Sequence, residues 1–223
     1  MDLLDSSLVS LLVNLSYVGS SILFIVGLKM LGSPETARRG NFLSSIGMLL
    51  AIVVTLLDQS IIDYKYIVMA LFLGSMVGYI AATKVKMTSM PEMVAIFNGF
   101  GGIASLLVGS SEYISLQEVS LVLTFAIFLT VIIGGVTFTG SLIAFGKLSE
   151  IISGRPFLYN GQQIVNILLL FLIFLLGFEM IFLNYYLNPS EILISLCLLA
   201  FILGILVVIP IGGADMPVVI ALL

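Results

Sequence analysis

Seven apolar runs, each close to the length of a membrane-crossing helix and nearly free of charge, constrain this chain more than any other feature. A helix rises about 1.5 Å per residue, so roughly 20 apolar residues cross ~30 Å of hydrocarbon. Lipid offers no water to backbone polar groups, so a spanning segment is either a helix or part of a closed barrel. Barrel strands would show short segments of alternating polarity, and this chain has none. Composition agrees. Of 223 residues, 61% are hydrophobic and 9% charged, against about 25% charged in a soluble domain. The expected fold class is all-α, a polytopic transmembrane helix bundle.

The runs lie near 8–31, 42–57, 66–83, 92–109, 119–146, 163–186 and 192–211. Polar connections separate them at Gly32–Asn41, Asp58–Lys65, Lys84–Pro91, Ser110–Glu118, Lys147–Gln162, Leu187–Glu191 and Gly212–Met216. An eighth helix begins at Pro217 and has seven residues before the sequence stops at Leu223. Seven residues cannot span a bilayer, so the reading is a chain cut inside a transmembrane helix.

Charge sets the expected orientation. Lys29, Arg38, Arg39, Lys84, Lys86, Lys147 and Arg155 flank the first, third and fifth connections, and only Lys65 lies on the other side. Positive residues stay on the cytoplasmic face, which places the N-terminus outside and Gly212–Met216 inside. Asp2, Asp5, Asp58, Asp63, Glu112, Glu118 and Glu191 fall mostly outside. The acidic start, Met1-Asp2-Leu3-Leu4-Asp5, is unlike the basic opening of a cleaved signal peptide.

Several chemistries find no support. No basic patch suited to nucleic acid is present. The chain has no histidine, and its single cysteine, Cys197, sits in an apolar run where it packs as a small hydrophobe. No metal cluster or disulfide is expected within one chain. No strand-borne G-x-G-x-x-G fingerprint, P-loop, carboxylate pair or nucleophile–base set stands out, so no soluble catalytic or cofactor-binding residues are assigned.

One local pattern occurs twice. Thr88-Ser89-Met90-Pro91-Glu92-Met93-Val94-Ala95-Ile96 resembles Ala214-Asp215-Met216-Pro217-Val218-Val219-Ile220-Ala221. Proline suits a first helical turn, where its missing N–H costs nothing, and a nearby Ser, Thr or Asp can cap the free amides. The two segments are either ordinary helix starts or equivalent helices of a repeated bundle.

Four polar residues in or beside the apolar runs are candidates for function. Asn98 lies ~10 Å into the fourth helix at 1.5 Å per residue. Gly101, Ser105 and Gly109 follow on roughly its side, so Asn98 should face the bundle. It either holds two helices together or orders water on a proton path; an amide cannot itself titrate. The fifth helix carries Thr130, Gly134, Thr137 and Ser141 along one face. These either allow close packing or, at Thr137 and Ser141, line a hydrated cavity. Asp215 is either a helix cap or a gate where a soluble domain meets the membrane. Gly74 and Gly78 read as packing, and Glu179 as an acid in the outer interface.

Three blocks resemble the β subunit of proton-translocating NAD(P)+ transhydrogenase. They are residues 86–96 (Lys86 to Ile96), residues 135–148 (Gly135-Val136-Thr137-Phe138-Thr139-Gly140-Ser141 through Gly146-Lys147-Leu148) and residues 211–219 (Ile211-Gly212-Gly213-Ala214-Asp215-Met216-Pro217-Val218-Val219). Gly27-Leu28-Lys29 and Glu35-Thr36-Ala37-Arg38-Arg39-Gly40-Asn41 are similar too. The resemblance implies a membrane domain that couples inward proton movement to hydride transfer from NADH to NADP+. NAD(H) would bind a domain of a partner α subunit, and NADP(H) a C-terminal domain absent from this chain, so the piece alone should not transfer hydride. Complete assemblies in this family are dimers in an inner membrane. By motif match, Asn98 takes the proton-path position, Ser141 a channel-lining position and Asp215 the inner loop facing the NADP(H) domain. Many members carry histidine where this chain has Asn98. The expectation is that a partner chain supplies the relay histidine. The competing reading is a secondary transporter or ion channel unrelated to redox chemistry, which should show broken helices or midplane charges.

Overall fold

The computed structural model describes residues 2–57, 64–115, 120–183 and 188–223, and every regular element among them is helical. Seven helices are long and apolar enough to cross a membrane, and a shorter eighth follows. They are α1 Asp2–Leu31, α2 Pro34–Leu56, α3 Tyr64–Lys84, α4 Met90–Ser115, α5 Leu121–Leu148, α6 Gln162–Phe178, α7 Pro189–Val208 and α8 Met216–Leu222. The fold is the polytopic helical bundle that the apolar runs imply. The connection around Asp58, the start of the fifth run at 119 and the end of the sixth at 186 lie outside the described residues.

The chain divides into two compact units, Met1–Tyr79 and Ile80–Leu223. The first is built on an α1–α2 hairpin. Its turn is much shorter than the expected Gly32–Asn41 connection, because α2 starts at Pro34. Proline at the first position and Glu35 in the first turn suit a helix start. Thr36 Oγ1 donates to Met30 O at 2.6 Å and ties the turn. Hydropathy missed this stretch because Arg38 and Arg39 are helical yet polar. The two helices touch backbone to backbone: a Cβ added to Gly40 would lie 2.6 Å from Gly27 O. Ser20 Oγ donates to Gly47 O at 2.6 Å across the same seam. In α3, Gly74 and Gly78 have nothing within 4 Å of their added Cβ positions among the described residues, so the packing that their spacing suggested is not made there.

The second unit is centred on α5, which packs against α4, α7, α8 and the end of α6. Small residues set these approaches. A Cβ on Gly102 would meet Gly134 O at 2.7 Å, and one on Gly204 would meet Val136 O at 2.6 Å. Such contact between backbones is how membrane helices gain packing energy without a hydrophobic drive. One core cluster joins Leu106, Phe128, Val131, Ile173 and Leu196. A second joins Ala95, Ala144, Val208, Met216 and Ile220.

Three helix ends differ from the apolar runs for local reasons. Helix α4 continues to Ser115, which brings Tyr113 into the core. Helix α6 changes at Phe178 into a π turn, Glu179–Leu183, and Glu179 is buried, 7% exposed. Helix α7 ends at Val208, just before Pro210, which has no N–H to continue the ladder.

The repeated Met-Pro segments adopt the same local structure. A 3₁₀ turn precedes each helix, at Met87–Ser89 and at Gly213–Asp215. The residues before these turns, Lys86 (φ −73, ψ 151) and Gly212 (φ −71, ψ 151), nearly superimpose in backbone angles. The expected side-chain cap from Asp215 is not made.

Candidate functional site: the α4–α5 seam and the connection before α8

The buried face of α4 is Ala95, Gly99, Gly102, Leu106 and Gly109. Asn98 sits at the edge of that face and is half-buried. Gly101, expected beside it in the packing, instead faces open space. Gly99 lets α5 approach so closely that an added Cβ would lie 3.2 Å from Ser141 Cβ. The result is a direct interhelical bond: Asn98 Nδ2 donates to Ser141 Oγ at 3.0 Å. Ser141 is fully buried, 0% exposed.

One turn along α5, Thr137 is also buried, and its Oγ1 donates to Leu223 O at 2.6 Å. Asn98 and Thr137 line a groove of about 480 Å³ together with Ser105 and Thr130, over a floor that includes Gly102 and Gly134. Its polar groups are hydroxyls and an amide. They can orient water, but none can hold a proton near neutral pH. Asn98 thus meets Ser141 and shares the groove with Thr137, whereas Ser141, expected to line a cavity, is fully buried behind Asn98 and is not among the groove's lining residues.

Asp215 lies elsewhere, in the turn before α8, which bonds the connection after α5. It is exposed, and the connection before α8 is held by backbone rather than by its carboxylate. Gly213 N donates to Gly154 O at 2.8 Å, and Phe157 N donates to Ile209 O at 3.3 Å.

One residue here had been read only as a flanking positive charge. Lys147 is 3% exposed. Its ammonium donates to Ile209 O and Ile211 O, both at 2.6 Å, and to Arg155 O at 3.5 Å. Among the described residues it is the one buried Lys or Arg. Thr139 was also missed as a bridge: its Oγ1 donates to Phe201 O on α7 at 2.8 Å. The available signal was that both residues fall within the block 135–148.

Seven long apolar helices define an integral membrane protein, and a few polar side chains are buried among them. The particular family follows from comparison: residues 13–223 match the family described as NAD(P) transhydrogenase beta subunit, and the chain belongs to it. The NAD(P) transhydrogenase subunit beta of Rhodospirillum rubrum is 37% identical over 216 residues, covering 93% of this chain and 46% of the relative. The protein of the same name from a designated strain of that organism matches with the same identity and coverage. The chain spans about half the length of these curated relatives.

Proposed function

We propose that this chain is the membrane proton-translocating part of a nicotinamide nucleotide transhydrogenase, coupling inward proton flow to hydride transfer from NADH to NADP+. The observation that carries the reading is the Asn98–Ser141 bond beside a groove that Asn98 and Thr137 line. A hydroxyl–amide pair in an apolar bundle orients water, and oriented water passes protons. The titratable relay comes from a partner: an α subunit that carries the NAD(H) domain and a histidine reaching the groove. NADP(H) binds a further domain of the β subunit, adjoining the end of the bundle that carries Asp215. The complete assembly is a homodimer in the bacterial inner membrane, with this chain's N-terminus outside and its basic connections inside.

The test uses the complete two-subunit enzyme in vesicles. Asn98→Leu should lower NADP+ reduction driven by a pH gradient at least tenfold, with assembly unchanged. Unchanged coupling in that variant removes Asn98 from the path. A wild-type rate that ignores an imposed gradient overturns the function itself.

A further inference from the structure

We propose that Lys147 is a positioning residue whose ammonium ties the α7–α8 connection, which carries Asp215, to the same helix that grips Asn98. The inference rests on the coupling role proposed above for that connection.

The last carbonyls of a helix lack partners within it. Ile209 O and Ile211 O lie at and just past the end of α7, where no further helical turn supplies donors, and Ile209 O also accepts from Phe157 N. Lys147 supplies one ammonium to both and reaches Arg155 O as well. Its recorded partners are all backbone carbonyls. An ammonium out of water is costly unless its protons are bonded, and an apolar side chain of similar size would pack there more cheaply. What lysine adds is an attraction that fixes where the connection lies. Gly213 N on Gly154 O and Phe157 N on Ile209 O close the same knot from the other loop.

Helix α5 thus holds several elements by polar side chains on one rod, α7 among them through Thr139. Thr137 holds Leu223, Ser141 holds Asn98 of α4, and Lys147 holds residues 209–211. Ser141 and Lys147 are six residues apart, about 9 Å at 1.5 Å per residue. A displacement of α5 at the groove is therefore carried to the connection that bears Asp215.

The complete reconstituted enzyme tests this, with a nitroxide on Ala214→Cys in a Cys197→Ala background. Lys147→Met should raise nitroxide mobility several-fold. It should also cut the response of hydride transfer to a pH gradient at least tenfold, while the gradient-free rate falls much less. Lys147→Arg, which keeps the charge and donors, should recover part of both. Unchanged mobility in Lys147→Met overturns the proposal, and so does an equal fall of both rates, which marks simple structural support. If the unsubstituted complex ignores the gradient, the coupling reading fails, while the mobility result still decides the clamp. Should Lys147→Met not assemble, amide exchange in the unsubstituted enzyme decides. Slow exchange at Gly213 and Phe157 supports the knot, and exchange as fast as in an open loop overturns it.

Discussion

Asn98 on α4 and Ser141 on α5 are joined by a 3.0 Å hydrogen bond, 43 residues apart in sequence. Its strength is measurable apart from any role in conduction. A net hydrogen bond contributes about 0.5–1.5 kcal/mol. A double-mutant cycle with Asn98→Ala and Ser141→Ala, read by unfolding in detergent or bicelles, should return a coupling of that size. Strictly additive losses would mean that the pair does not interact.

The α4–α5 seam should be intolerant of a single carbon at one glycine and indifferent at its neighbour. Gly102→Ala places a methyl 2.7 Å from Gly134 O, a backbone atom that cannot step aside. Overpacking of this kind costs about 1–3 kcal/mol. Gly101→Ala meets nothing within 4 Å and should leave the melting temperature unchanged or slightly raised. Equal melting temperatures for the two variants would contradict the seam.

Asp215 offers a separation of stability from function. It makes no cap bond and is exposed. Asp215→Asn should therefore change stability by less than about 0.5 kcal/mol, as surface changes do, while lowering proton-coupled turnover of the complete enzyme. A large loss of thermal stability would return Asp215 to a structural role.

Glu150 has φ 59, a left-handed conformation that reverses the chain just after α5. Such geometry costs a residue with a side chain about 1–2 kcal/mol, and glycine adopts it freely. Glu150→Gly should raise the melting temperature of the isolated domain by an amount equivalent to ~1 kcal/mol, less glycine's greater chain entropy. A clear destabilisation would show that the Glu150 side chain supports the turn.

Much of the architecture was legible before any coordinates. Hydrocarbon admits helices of a narrow length range, so the apolar runs identified the seven spans. The repeated Met-Pro segments announced two alike helix starts, since proline and the residues before it act locally. Helix ends were less legible, as at Arg38–Arg39 and Ser110–Ser115, because helices continue past the apolar zone. Of the site, the residue types at 98, 137 and 141 stood out by being polar in an apolar run. That they meet, and through which atoms, depends on how α4 and α5 cross.

Sequence by itself thus determined that the chain is a membrane bundle, how many helices it has and which polar residues are unusual, because lipid solvation acts on each segment separately. Only the tertiary structure decided that Gly102, rather than Gly101, meets the partner helix, that Gly74 and Gly78 meet no neighbour among the described residues, and that Lys147 is buried on backbone carbonyls rather than a surface charge. Those outcomes turn on helix rotation and on where neighbouring carbonyls fall short of donors, and both arise from contacts between segments distant in the chain.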